Sequence, residues 1–361
     1  MSHRQPFAKA RPGARPVRVL LIDDSPTMRR LIALSLARDP RIEVVGGAGG
    51  AAEALERIAS LRPDALTLDV EMPGTSGLDL LEQLMRERPM PVVMVSSATQ
   101  AGSHAAVTAL ALGAVDCVAK PKSYMEEDCF AGLADKLVVA AAANLGAPRC
   151  HWTGRATRAP PPAQDFDWNG SIVLIGASTG GIEAVGRVLS GFPADGPPTV
   201  VIQHMPEGFL ASFAARLQGG VAPEVVLARE GLPLRRGRVA IAPGGAHHLG
   251  IAASAEGPVC RLLAQPRRNG HCPSVDVTFE SALTLAPAVV AALLTGMGRD
   301  GVAGLARLRQ AGAACLAQDR ESAVVWGMPG AAWTSGAAGE LVGLDAMAGR
   351  LLALTSRRAR G

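Results

Sequence analysis

Two groups of residues in this 361-residue chain have the types and the spacing to do chemistry. The first is acidic. Asp23 and Asp24 follow the apolar run 17–22, and Asp69 follows the run 65–68. Ser96 follows the run 92–95, and Lys120, before Pro121, follows the run 115–119. Three carboxylates brought to one place repel one another. A hard divalent cation relieves that, and Mg2+ is suited to one or two carboxylates supplemented by water and phosphate oxygens. A lysine ammonium and a hydroxyl beside a metal-bound carboxylate can neutralise and orient a phosphoryl group. Singly, each residue has an ordinary explanation: an Asp after a strand is commonly a turn or cap residue, and Lys-Pro is commonly a loop. The five together, each at the end of an apolar run, point to a site.

The second group is Ser178, His204 and Asp300. Ser178 lies in Gly176-Ala177-Ser178-Thr179-Gly180-Gly181, between an apolar run and a helical stretch beginning at Ile182. Small neighbours expose the hydroxyl at a tight turn, and a helix N-terminus directs N–H groups at it, which suits a nucleophile and a developing oxyanion. The run 199–203 delivers His204, a base available in its neutral form at pH 7. A further run ends in Thr295-Gly296-Met297-Gly298-Arg299-Asp300-Gly301 and presents Asp300, which can fix the imidazole tautomer. A Gly-rich turn between strand and helix, taken alone, reads first as a phosphate or dinucleotide cradle. Here the spacing is not G-x-G-x-x-G, and the next strand ends in Gln203-His204 where a dinucleotide site needs an acidic residue for the ribose.

The elements that position these residues are two blocks of alternating strands and helices. In the first, strands at 17–22, 42–45, 65–68, 92–95 and 115–119 alternate with helices near 52–60, 78–87 and 104–112. Ser25-Pro26 opens a helix bearing Met28, Leu31, Ile32 and Leu36 at helical spacing. Five βα units predict a parallel sheet covered on both faces. The segment 144–170 is rich in Pro, Ala and Arg and reads as a linker. The second block has strands at 171–175, 199–202, 225–227, 239–241, 289–294 and 314–317. Residues 1–16 read as a disordered arm, not a signal peptide. Aromatics are 3% of the chain, too few for a base-stacking platform, and a net charge of +4 does not call for nucleic acid. The six cysteines lack zinc-ligand spacing and read as reduced thiols of a cytoplasmic protein. No apolar stretch is long enough for a membrane span.

The first block resembles the receiver domain of bacterial two-component response regulators, a flavodoxin-like (βα)5 fold. The resemblance rests on Leu20-Leu21-Ile22-Asp23-Asp24-Ser25, Leu68-Asp69-Val70-Glu71-Met72-Pro73-Gly74, Val95-Ser96-Ser97 and Ala119-Lys120-Pro121. It implies a receiver over 17–143 in which Asp69 accepts the phosphoryl group. Mg2+ would be held by Asp24, Asp69 and the Glu71 carbonyl, with Asp23 acting mainly through water, and Ser96 and Lys120 would sense the phosphoryl group. Two positions depart from the pattern. Cys117 stands where receivers often carry an aromatic residue, and Thr75-Ser76 replaces an acidic or amide residue before Gly77.

The second block resembles the catalytic domain of chemotaxis-type protein-glutamate methylesterases, which are also glutamine deamidases. The matching segments are Gly176–Gly181, Gln203-His204-Met205-Pro206-Glu207-Gly208-Phe209, Ala242-Pro243-Gly244-Gly245-Ala246-His247, Pro273-Ser274-Val275-Asp276, Thr295–Gly301, Gln318-Asp319 and Trp326-Gly327-Met328-Pro329. The resemblance implies a doubly wound α/β domain with a parallel sheet over 171–355. Ser178 would be the nucleophile, His204 the general base and acid, Asp300 its orienting partner, and Met297 N–H with Thr179 the oxyanion contact. Ile182 and Cys272 depart from the family, standing where proline and a basic residue are common. The implied protein is a phosphorylation-activated regulator. It would hydrolyse glutamate methyl esters on methyl-accepting chemoreceptors and take its phosphoryl group from a chemotaxis histidine kinase. It would need no cofactor for the esterase step, nucleic acid or membrane insertion. The competing reading is a receiver joined to a catalytically silent α/β domain that only docks partners.

Overall fold

In the computed structural model, residues 15–97, 99–121, 130, 132–145 and 166–357 are described. Most of the expected arm and residues 146–165 of the expected linker lie outside them, as do Cys129 and Cys150. The chain divides into two units, the boundary falling between Leu145 and Gly146.

The first unit is built from β-branched and leucine-rich runs that suit strands buried on both faces. These are β1 (Val17–Ile22), β2 (Ile42–Ala48), β3 (Ala65–Asp69), β4 (Val92–Ser96) and β5 (Asp116–Ala119). Between and after them lie α1 (Pro26–Leu36), α2 (Ala51–Leu61), α3 (Gly77–Glu87), α4 (Gln100–Ala111) and α5 (Leu133–Ala141). The sheet is parallel, in the order β2-β1-β3-β4-β5. The chain leaves β1 towards β2 and returns to the other side at β3, so the carboxyl ends of β1 and β3 open the crevice where such sheets bind ligands. Ser25 caps α1 by accepting from Met28 N at 3.3 Å, with Pro26 at the first helical position. Helix α4 starts four residues before the position that apolar spacing indicates.

The Thr75-Ser76 departure has a local reason. Ser76 caps α3: its Oγ accepts from Asp79 N at 3.2 Å, while Asp79 Oδ2 accepts from Ser76 N at 3.3 Å. Gly77 then passes so close to β3 that a Cβ there would lie 1.8 Å from the Asp69 carbonyl oxygen. Gly77→Ala must displace backbone, not a flexible side-chain tip. We expect it to destabilise this unit by about 1–3 kcal/mol, as overpacking does, measured as a lower urea midpoint.

The second unit contains β6 (Ile172–Ala177), α6 (Gly181–Ser190), β7 (Thr199–Gln203), α7 (Glu207–Gln218), β8 (Glu224–Leu227) and β9 (Arg238–Ile241). Then come β10 (His248–Ala252), β11 (Val259–Leu263), α8 (Val275–Ser281), a 3-10 turn at Leu283–Ala288 and β12 (Val289–Leu293). It closes with α9 (Val302–Gln310), β13 (Ala314–Gln318), α10 (Met328–Thr334), β14 (Glu340–Val342) and α11 (Leu344–Thr355). Seven strands form a parallel sheet in the order β14-β13-β12-β6-β7-β9-β8. Strand β6 is wholly buried, flanked by β12 and β7, so the topological reversal falls at its carboxyl end. One core cluster gathers Leu174, Val200, Ile202, Phe279, Leu293 and Leu305, all fully buried. The antiparallel β10–β11 hairpin and the edge strand β14 are additions to the strands read from sequence.

The last residues of the composition-defined linker belong to this unit. Phe166 N donates to Asp195 Oδ2 at 2.8 Å, Asn169 Nδ2 to the Leu354 carbonyl at 3.0 Å, and Trp168 bridges to Ser356. A backbone bond from Arg357 N to the Asp167 carbonyl extends the order past residue 355. No helix among the described residues is long and apolar enough to cross a membrane.

Candidate active site

Ser178, His204 and Asp300 lie past the carboxyl ends of three adjacent strands, β6, β7 and β12. Backbone bonds lock the three loops. Ser178 N donates to the Thr295 carbonyl and His204 N to that of Ala177, each at 3.0 Å. Gln203 Nε2 donates to the carbonyls of Ser178 at 2.8 Å and His204 at 3.1 Å. A Cβ on Gly296 would lie 2.7 Å from the Ser178 Cβ, so the loop after β12 abuts the serine directly.

His204 Nε2 lies 2.7 Å from Asp300 Oδ2, and both side chains are almost wholly buried. The imidazole proton therefore sits on Nε2. Nδ1 is buried and makes no hydrogen bond among the described residues, so it is the nitrogen that can receive a proton. The Ser178 hydroxyl makes no bond to it in this structure. One χ1 rotation redirects a serine Oγ, and resting contacts between nucleophile and base tighten only in the substrate complex.

Asp300 is held by more than its histidine. Ser274 Oγ donates to Oδ1 at 2.8 Å, Val275 N to Oδ2 at 2.7 Å, and Asn269 Nδ2 to Oδ1 at 3.1 Å. Burial by itself would raise this carboxyl. The bond and charge of His204, with the bonds from Ser274 and Val275, outweigh burial and hold Asp300 below the ordinary carboxylate range. Asp276, in the first turn of α8, behaves oppositely. Burial pushes it up to about 6, the bond from Gly304 N opposes this, and the Asp300 charge adds to the rise.

The proposed oxyanion donor sits in a pinned loop. Thr295 N donates to Gln318 Oε1 at 2.7 Å, Thr295 Oγ1 to the Thr179 carbonyl at 2.9 Å, and Met328 N to the Gly296 carbonyl at 2.8 Å. Between these anchors the Met297 N–H donates to no backbone carbonyl among the described residues. His248, by contrast, is structural: its Nδ1 accepts from Ser274 N at 3.1 Å and its Nε2 faces the Pro266 carbonyl at 3.0 Å. Cys272 and Ile182, the two departures, are buried. Sequence reasoning gave no role to Asn269, His271, Ser274 or Gln318. The Asn269-Gly270 pair was the available signal, since Asn-Gly marks a tight hairpin turn.

In the first unit, Asp23, Asp24 and Asp69 offer ligand atoms that lie within 4.8 Å of one another. Lys120 Nζ is 2.7 Å from Asp69 Oδ2 and 3.1 Å from Asp23 Oδ2. The second contact lacks hydrogen-bond geometry and leaves the buried Asp23 Oδ2 without a hydrogen bond. That oxygen, beside two further carboxylates, fits a hard divalent cation. Burial pushes the Asp69 carboxyl up, Lys120 opposes this, and the Asp23 charge adds to it. Ser96 is fully buried at the end of β4, next to these groups in the strand order. Cys117 is buried on β5, where desolvation pushes its thiol up to about 12.

Fold and sites together define a response-regulator receiver followed by an α/β hydrolase with a serine, a histidine and an aspartate at one sheet edge. The sequence model of the response regulator receiver domain matches residues 19–126, and that of CheB methylesterase matches residues 173–351. The chain belongs to the CheB methylesterase family. It is 49% identical to protein-glutamate methylesterase/protein-glutamine glutaminase 1 of Caulobacter vibrioides, over 95% of this chain and 99% of that one. It is 47% identical to protein-glutamate methylesterase/protein-glutamine glutaminase of Agrobacterium fabrum, over 95% of this chain and 98% of that one. The crystal structure of the Thermotoga maritima CheB methylesterase catalytic domain matches 52% of this chain and 99% of its own, with a TM-score of 0.50 and 35% identity.

Proposed function

We propose that this chain is a phosphorylation-activated protein-glutamate methylesterase and protein-glutamine glutaminase acting on methyl-accepting chemoreceptors. The observation that carries the esterase reading is the His204–Asp300 pair, which leaves Nδ1 as a vacant buried acceptor beside the Ser178 turn. Nδ1 takes the Ser178 proton as Oγ attacks the ester carbonyl. The oxyanion forms at the Met297 N–H, near Thr179. The protonated ring then gives its proton to the departing methoxide, and methanol leaves a glutamyl-serine ester. Water attacks that ester with Nδ1 as base and restores Ser178 and a glutamate carboxyl. A glutamine side chain follows the same course and releases ammonia.

In the receiver, Asp69 takes a phosphoryl group from a chemotaxis histidine kinase. Bound Mg2+ at Asp23, Asp24, Asp69 and the Glu71 carbonyl would neutralise charge on the incoming phosphoryl oxygens. Lys120 and Ser96 bind those oxygens, and the added charge shifts the receiver towards its active state. A cytoplasmic location follows from these partners.

The test is methanol release from a methylated receptor fragment, with and without a small phosphodonor and Mg2+. We expect release by the wild type that rises with phosphodonor. Asp69→Asn should keep the basal rate within about twofold and lose the stimulation, since only the acceptor carboxylate is removed. Absence of release from a substrate that another methylesterase cleaves would replace this reading with the docking regulator.

A further inference from the structure

The histidine of a catalytic pair needs its ring plane fixed as well as its tautomer. The terminal torsion of a histidine side chain is broad, so contacts must set the plane. In His204 one in-plane hydrogen bond, from Nε2 to Asp300, leaves the ring free to rock about that line. Nδ1 adds no second bond. Against the ring face lies His271. The two imidazoles stack with centroids 3.7 Å apart and planes 4° from parallel.

His271 is itself fixed by a tight turn. Arg268 N donates to the His271 carbonyl at 3.1 Å, and His271 N donates back at 2.9 Å. Between them Asn269 and Gly270 both have positive φ, 54° and 82°. That is the two-residue hairpin turn that Asn-Gly favours, because both central residues must be left-handed. Arg268 anchors the turn to α8 through two bonds to the Glu280 carboxylate, at 2.5 and 2.8 Å. From the same turn Asn269 Nδ2 reaches both Asp300 Oδ1, at 3.1 Å, and Asp276 Oδ2, at 3.0 Å. One four-residue turn thus touches both members of the His204–Asp300 pair, the ring through His271 and the carboxylate through Asn269.

We propose that the Arg268–His271 turn is a positioning device for the catalytic pair, with the His271 ring setting the plane of His204 so that Nδ1 faces the Ser178 hydroxyl. The proposal rests on the esterase reading for the roles of Ser178 and His204. The role of His271 is one of shape: a flat ring at van der Waals distance.

The test compares His271→Ala, His271→Phe and wild type in the full chain, with two readouts. One is kcat and KM for methanol release from a methylated receptor fragment. The other is the rate at which a fluorophosphonate labels Ser178, which needs the Ser178–His204 contact and no receptor. His271→Ala should lower kcat and the labelling rate by about 10- to 100-fold, the cost of a catalytic group misplaced by about 1 Å. KM should stay within about twofold. His271→Phe, which keeps a flat ring, should recover most of both. Thermal melting of the variants separates misfolding from misplacement: a folded His271→Ala protein with wild-type labelling overturns the proposal. So does His271→Phe labelling as slowly as His271→Ala while folded, because stacking would then not be what matters. A wild type that labels at Ser178 but releases no methanol overturns the substrate reading instead, and the ring effect is still read from labelling.

Discussion

Ser178→Ala should abolish methanol release, with kcat falling by about 10^4-fold or more while the receptor fragment still binds. Removing the nucleophile of a serine hydrolase costs several orders of magnitude, and the residual rate comes from the oxyanion donors and binding alone. The size of the loss follows from the surroundings of Ser178. Its loop is bonded on one side to Thr295 and on the other to Gln203. Loss of Oγ would therefore leave the proposed base, His204, and the proposed Met297 donor with nothing to activate. The folded state should hardly change, because the Ser178 hydroxyl makes no hydrogen bond to a protein group among the described residues. Melting temperatures within about 2 °C of each other, together with loss of fluorophosphonate labelling, are the expected pair of results. A variant that still released methanol at more than about a tenth of the wild-type rate would remove Ser178 from the mechanism, and with it the assignment of Nδ1 as base.

The parts of this molecule that were legible in the sequence are those whose chemistry repeats along the chain. Apolar runs such as Val17–Ile22 and Thr199–Gln203 are strands because both faces are buried, and nothing else in a short Val-rich run competes with that. Residues that follow such runs share one edge of a parallel sheet, which is why Asp23, Asp69 and Lys120 meet, and why His204 meets Asp300 at the edge that also carries Ser178. Three kinds of feature were not legible. The β10–β11 hairpin carries His248 and Gly250 within a short strand, and its run of four buried residues is completed by Leu263 lying against Gly250. The residues Phe166–Gly170 have linker composition, yet side-chain bonds to Asp195 and Leu354 fasten them to the second unit. The partners of Asp300 come from a turn some thirty residues away in sequence, at Asn269, and from the first turn of α8. Long-range polar partners leave no periodicity behind. Asn269-Gly270 signals a turn, but only the fold says what that turn touches.

Asp300→Asn should cost both rate and stability, and the two losses have different pH signatures. The rate falls because an amide can present an N–H to His204 Nε2. The ring then turns to the other tautomer, Nδ1 carries the proton, and the base is lost. A drop of about 10^4 in kcat is the expected size for that change in a serine triad. The stability loss arises because Asp300 accepts from His204, Ser274, Val275 and Asn269, whereas an asparagine has one accepting oxygen. Leaving buried donors without their charge costs about 3 kcal/mol. The folded-state carboxyl of Asp300 is depressed, so its stabilisation is present above the ordinary carboxylate range of about 4 and is lost as pH falls through the lower folded value. The gap between wild type and Asp300→Asn should therefore close below about pH 4. Asp276 runs the other way. Its folded carboxyl is raised to about 6, so the stability tied to its proton is full below about 4 and is lost as pH rises through 6. Part of that rise is the charge of Asp300, and removing it lets Asp276 ionise more easily. The wild type should accordingly lose stability between pH 4 and 6 more steeply than Asp300→Asn does. Urea midpoints of the second unit at pH 3, 4, 5, 6 and 7 measure both effects. Parallel curves for the two proteins would mean that the Asp276 carboxyl does not feel Asp300 across the Asn269 bridge. A kcat within tenfold of wild type would mean that His204 keeps its tautomer without the carboxylate.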